Sequence, residues 1–176
     1  MDTRSRSRFY VVSLVSIVVM ACGAYLWWPS EERVVRNRLR GLAETLSIPA
    51  SEIAGGDIGR VTRFAQLRRY FADDVEIRSG AADPQSISRD AVLAAIASWT
   101  PPPGGLAIEF VDVQVTMGPD AASAKIYLTA KISARDLRTG EPTVDAREAH
   151  LGMVKRNGAW IVASVETTDT LERPPS

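Results

Sequence analysis

The chain has 176 residues, 21 basic and 21 acidic, so its formal charge is zero. That length suits one ordinary domain with an appended segment and argues against a multidomain enzyme, and the neutral balance argues against a nucleic-acid binder, which carries a basic excess. One cysteine and one histidine rule out an intrachain disulfide framework, a cysteine-based zinc cluster and a multi-histidine metal site, so no metal or cofactor is expected.

Residues Phe9 to Trp28 form an uncharged run of 20 residues. At ~1.5 Å rise per residue a helix of that length spans ~30 Å, the thickness of a bilayer hydrocarbon core. Phe9 and Tyr10 stand at one end, Tyr25, Trp27 and Trp28 at the other, as suits the two membrane interfaces. The reading is a transmembrane helix after a short tail, residues 1–8. Two others compete. A cleaved signal peptide has a shorter apolar region and a small-residue cleavage site. A lipoprotein signal is suggested by Val19-Met20-Ala21-Cys22, although apolar residues continue past Cys22. Arg4, Arg6 and Arg8 before the segment favour an inside N-terminus. Arg33, Arg36, Arg38 and Arg40 after it belong to a folding domain, and domains translocate largely regardless of charge. A single-pass protein with its domain outside the cytoplasm, on the periplasmic side of a bacterial inner membrane, is expected.

Pro29 and Ser30 leave almost no linker. Ser30 is a plausible N-cap, with Glu31 and Glu32 in the first turn. Val35, Leu39, Leu42 and Leu46 repeat at 4-3-4 spacing and predict a helix with one apolar stripe, ended by Pro49. Arg33, Arg36 and Arg40 lie opposite, as a solvated or headgroup-facing side. Ala50 to Asp57 reads as a loop, and Ile58 to Phe71 as a second helix broken by Asp73-Asp74. Val75 to Arg78 reads as a short strand, and Gly80 to Gln85 as a turn. Ser88 caps a third helix with Val92, Leu93, Ile96 and Trp99 on one face. Pro101-Pro102-Pro103 is a stiff connector.

From Leu106 the period changes to two. Leu106, Ile108 and Phe110 alternate, then Val111, Val113 and Val115; one extra residue near Phe110-Val111 is what a β-bulge requires. Ala124 to Ala134 alternates over a long strand, Thr143 to Lys155 forms another, Asn157-Gly158 signals a type I′ hairpin, and Trp160 to Thr167 is the last strand. The expected architecture is α+β: three helices packed on a curved antiparallel sheet, spanning 31–170, with residues 171–176 as a flexible tail.

Phe71-Ala72-Asp73-Asp74-Val75-Glu76-Ile77, Ser88-Arg89-Asp90-Ala91-Val92 and Arg156-Asn157-Gly158-Ala159-Trp160-Ile161-Val162 resemble the nuclear transport factor 2-like superfamily, also called the SnoaL-like or cystatin-like fold. The resemblance implies a cone of curved sheet closed by helices, often with an internal pocket and often dimerising through the sheet. The superfamily holds isomerases, dehydratases and cyclases, and also non-catalytic members, some tethered beside membranes as assembly factors. Its ketosteroid isomerases keep an aspartate base at a position that falls near Ser79 here, and a tyrosine on the first domain helix, where residues 31–48 contain none. Isomerase chemistry of that kind is not expected.

His150 is the remaining general-base candidate, yet if Ala149, Leu151 and Met153 face the helices, alternation puts it on the other face. Asp73-Asp74 and Glu109 with Asp112 are candidate carboxylate pairs. Tyr70, Trp99 and Tyr127 are candidate pocket residues. Lys125, Tyr127, Thr129 and Lys131 form a candidate interaction face on one strand. The expected function is a non-catalytic scaffold or accessory module at the bilayer, binding a membrane protein or itself and no nucleic acid. The alternative is a tethered small-molecule binder or SnoaL-like isomerase or dehydratase using the cone.

Overall fold

The apolar positions of the chain fall into one helical stripe and one sheet face, and the fold buries the first against the second. The computed structural model describes residues 30–55, 57–79, 83–135 and 141–167. The Phe9–Trp28 segment, both tails and residues 136–140 lie outside them. Among the described residues no helix is long and apolar enough to cross a membrane.

Helix α1 (Glu31–Leu46) opens on Ser30, whose hydroxyl accepts from the Arg33 amide at 3.4 Å. Val35, Leu39 and Leu42 are buried as the spacing predicts. The helix stops three residues before Pro49. The Ser47 hydroxyl donates to the Ala43 carbonyl (2.8 Å) and accepts from the Ile108 amide (2.9 Å). Ile48 then bridges Leu106 in both directions at 2.7 Å. Gly105 permits this approach: its φ is +88°, and a Cβ there would lie 2.8 Å from the Ile48 carbonyl oxygen.

The expected loop at Ala50–Asp57 is instead helix α2 (Ala50–Gly55), followed at once by α3 (Asp57–Leu67). The Pro49 carbonyl accepts from the Glu52 amide at 3.0 Å, so the proline opens a helical turn as well as ending the segment before it. α3 ends at Leu67, and Phe71 belongs to strand β1 (Phe71–Ser79). Asp73 and Asp74 therefore lie within a strand and do not break a helix. The Tyr70 carbonyl accepts from the Val162 amide at 2.7 Å, and Phe71 sits opposite Val162; this long-range pairing overrides the local helical period. Gln85, the last residue of the expected turn, opens a short edge strand, β2 (Gln85–Ser88), and residues 80–82 of that turn lie outside the described residues. Ser88 caps α4 (Arg89–Ser98), accepting from the Ala91 amide at 3.3 Å. Val92, Leu93 and Ile96 pack on the core, while Trp99 is the C-cap and stands outside the helix.

Strands β3 (Leu106–Met117), β4 (Ser123–Arg135), β5 (Pro142–Arg156) and β6 (Ala159–Thr167) form the expected antiparallel meander. The whole sheet has six strands in the order β2-β1-β6-β5-β4-β3, and β1 runs parallel to β6. The sheet is therefore mixed, not purely antiparallel, because the chain passes through α4 and four strands before β6 returns beside β1. Alternation in β4 and β5 buries Ala124, Ile126, Leu128, Ala149, Leu151 and Met153 on the helix side, and Trp160 and Val162 of β6 complete the core. Asn157 and Gly158 have φ of 51° and 78°, as a type I′ turn requires.

The bulge in β3 lies between Val111 and Gln114, just beyond its expected place. Three steps along β3 match two along β4, and Asp112 takes up the extra residue at φ 54°. Arg36 of α1 donates to the adjacent Val113 carbonyl at 2.5 Å, so this arginine is engaged and not part of a solvated face. Arg38 donates to the Trp160 carbonyl (3.0 Å) and the Arg69 carbonyl, and its guanidinium lies 4.0 Å over the Tyr70 ring.

Asp112→Val is expected to lower stability by about 1–2 kcal/mol, the penalty of a branched side chain at left-handed φ. Asp112→Gly leaves stability equal or higher. Urea denaturation of the two variants checks the bulge assignment.

Candidate functional site

Because the sheet alternates, each side chain of β3 to β5 belongs to one of two faces, and each face carries a hollow. On the helix side a cavity of ≈ 640 Å³ opens among the end of α1, α2, α3, the end of α4, and β3 to β5. Leu46, Phe64, Leu67, Ile96, Ile108 and Ile132 make its wall apolar. Trp99 borders it at 48% exposure, next to Thr100 and Pro101.

Four ionisable residues line this cavity, and they form two pairs. Arg63 Nε donates to Glu52 Oε1 at 3.0 Å and its Nη2 donates to Oε2. Arg63 Nη1 donates to the Thr45 carbonyl at 2.6 Å and to the Ser47 carbonyl. One guanidinium thus joins α3, α2 and the end of α1. The hydrogen bonds from Arg63, aided by its charge, hold the Glu52 carboxyl below its ordinary value against the opposing effect of burial. The second pair is Asp145 and Arg147 on β5, Nε to Oδ2 at 3.0 Å. Their side chains are 40% and 62% exposed, which puts them at the rim.

On the opposite face a hollow of ≈ 420 Å³ is bordered by Gln114, Lys125, Tyr127, His150, Ser164 and Glu166. Tyr127 and His150 are directly opposed across β4 and β5, ring centroids 5.1 Å apart, edge to face at 68°. A hydrogen bond to the Glu148 carboxylate pushes the Tyr127 phenol above its ordinary value, so it stays protonated. Gly152 forms part of the floor; a Cβ there would fall 2.2 Å from the Ser164 hydroxyl.

The three aromatic pocket candidates are not brought together. Trp99 borders the helix-side cavity, Tyr127 borders the hollow on the other face, and Tyr70 lies under Arg38 and lines neither. The cause is register in β4 for Tyr127 and the turn after α3 for Tyr70. His150 lies outside the cavity, as alternation from Ala149 and Leu151 requires. Lys125, Tyr127, Thr129 and Lys131 share the outward register of β4, and Lys131 sits 4.0 Å from Glu109. The candidate carboxylate pairs disperse: Asp73 pairs with Arg89 at 2.9 Å, and Glu109 faces Lys131. Glu52, Arg63, Asp145 and Arg147 had no signal in sequence, because Glu52 and Arg63 stand on two helices and the spacing of Asp145 and Arg147 recurs in any charged strand.

No protein-family model matches the sequence, and no curated protein matches it. Solved structures do match. A nuclear transport factor 2-like protein with a cystatin-like fold from Novosphingobium aromaticivorans superposes with a TM-score of 0.60 at 12% identity, covering 86% of this chain and 90% of that one. A candidate scytalone dehydratase from the same organism gives 0.57 at 14%, covering 80% and 85%. The association domain of CaMKII from C. elegans gives 0.56 at 13%, covering 77% and 92%. At these identities the likeness establishes fold: the domain is an α+β nuclear transport factor 2-like fold with a curved six-stranded sheet.

Glu52→Gln is expected to destabilise the protein by about 1–3 kcal/mol by weakening a largely buried, charge-assisted pair. Since the folded carboxyl sits below its ordinary value of 4.5, the wild-type contribution is present above that pH and is lost as pH falls through the folded value. The gap between variant and wild type in thermal melts therefore closes on acidification.

Proposed function

We propose that this protein is a non-catalytic binding module, held beside a bilayer by the Phe9–Trp28 segment, whose cavity receives an apolar group. One observation carries the reading: the cavity is apolar, and its ionisable side chains are paired with one another. Proton-transfer catalysis works best with a group whose pKa lies near the operating pH. Glu52 is displaced in the opposite direction, and His150 and Tyr127 are on the other face. The cavity volume of ≈ 640 Å³ is ordinary for small-ligand sites, which run ~300–1,000 Å³. The fold alone favours neither function, since its neighbours include a candidate dehydratase and an association domain.

The tether rests on the length, lack of charge and aromatic ends of residues 9–28. Arg4, Arg6 and Arg8 support the cytoplasmic side for the N-terminus and the periplasmic side for the domain. Tethering confines the domain to a thin layer and raises its effective concentration against other membrane components. A second reading, docking of a membrane protein or a second copy on the outward face of β4, is favoured by the hollow at Lys125, Tyr127 and His150.

A fluorophore that brightens in apolar surroundings should bind the wild-type domain saturably and at one site. Ile96→Trp, which fills the cavity, should weaken it at least tenfold. Absence of saturable binding to wild type refutes the cavity reading. Full-length protein should sediment with membranes without detergent, and a chain lacking residues 1–28 should not; full-length protein in the aqueous fraction refutes the tether. Proximity labelling that recovers no partner, this chain included, counts against the docking reading.

A further inference from the structure

The cavity carries more information than its volume. Its wall is apolar, and its four charges are balanced twice over, Glu52 with Arg63 inside and Asp145 with Arg147 at the rim. A ligand that brought a charge against the apolar wall would leave water and meet no unpaired countercharge among the described residues, and such transfer is strongly unfavourable. A ligand with an apolar body and an uncharged, hydrogen-bonding end meets no such penalty. Asp145 keeps Oδ1, since its bond to Arg147 is made through Oδ2. Arg147 keeps its two terminal nitrogens, since that bond is made through Nε. The Thr100 side chain borders the same cavity. The rim thus offers an acceptor, donors and a hydroxyl to one polar end. The half-exposed Trp99 ring stands between rim and apolar wall, a position suited to a side chain that is apolar in body and polar at one tip.

We infer that the cavity selects amphiphiles without net charge, an alkyl chain ending in a hydroxyl, ester or sugar, and that the mutual pairing of Asp145 and Arg147 sets this selectivity. The inference rests on the cavity reading above and adds the ligand class and the two residues that determine it. Each rim residue masks its partner. Removing Asp145 unmasks a cation, and removing Arg147 unmasks an anion. Both side chains are too exposed for their loss to unfold the domain.

The test uses the full chain in phosphatidylcholine vesicles, with displacement of the fluorophore by four probes of equal chain length: monodecanoylglycerol, decyl maltoside, decanoate and decyltrimethylammonium. The two neutral probes should displace it at concentrations at least tenfold lower than either ion. Lengthening the chain should tighten binding about fourfold per methylene. Asp145→Asn should improve decanoate severalfold relative to decyl maltoside. Arg147→Gln should do the same for decyltrimethylammonium, and Arg147→Lys should behave as wild type. Supplying monodecanoylglycerol in the vesicles or from solution separates a bilayer source from a soluble one; displacement by either route supports the inference, and displacement by neither overturns it. Ions binding as tightly as neutral probes, or variants that leave the order unchanged, overturn the selectivity while the cavity reading stands. If neither the fluorophore nor any probe binds, both fall together.

Discussion

In β4 and β5 a step of one residue moves a side chain from one side of the sheet to the other. Ile126 and Leu151 are opposed on the buried side, and Tyr127 and His150 on the outward side. Every statement about chemistry in this molecule depends on that partition. It puts the sole histidine and the Tyr127 phenol outside the helix-side cavity. A slip of one residue in either strand would bury Lys125 and His150 and expose Ile126 and Leu151. Burial of the apolar set makes such a slip prohibitive. The bulge at Asp112 is the exception to strict alternation. It switches β3 from burying Phe110 to burying Val113 and Val115, so both halves of a bent strand keep their apolar residues inward.

An apolar hollow of this size persists only if its walls cannot collapse inward, because interiors pack to near-crystalline density. Arg63 supplies one strut. It grips Glu52 on α2 and the Thr45 and Ser47 carbonyls at the end of α1, which fixes α3 at a distance from the sheet. The Ile48–Leu106 bridge supplies a second, tying the end of α1 to the start of β3. Burial of an arginine against two carbonyls and a carboxylate adds little net stability on its own. Its geometric effect is larger, because four donors set the spacing of three helices at once.

Much of the fold is legible in the sequence because its signals are local. The 4-3-4 stripe of Val35, Leu39, Leu42 and Leu46, the phase slip near Phe110-Val111 and the Asn157-Gly158 turn each encode geometry within a few residues. What escapes local reading is long-range. Phe71 continues a helical period from Phe64 yet pairs with Val162, about ninety positions on. Gln85–Ser88 becomes a strand only because β1 offers an edge. The parallel pairing of β1 with β6 has no signature in either strand alone. The cavity is subject to the same limit. Trp99 is visible as an aromatic at a helix end, whereas the pairing of Glu52 with Arg63 needs two helices already placed.

The two hollows of this domain differ in chemical character. A proton-transfer site needs a titratable group in a dry, apolar setting where its pKa moves toward neutrality. Here the apolar setting and the Tyr127–His150 pair are on opposite sides of one sheet. The ionisable residues lining the apolar hollow are paired with each other, and the hollow with the histidine is the more polar of the two. Bringing them together would take an odd-residue shift of β5 against β4, which the core forbids, or new acid and base residues at positions now held by Ile96, Ile108 and Ile132. The apolar character of this cavity is therefore set at the same positions where an acid and a base would have to stand.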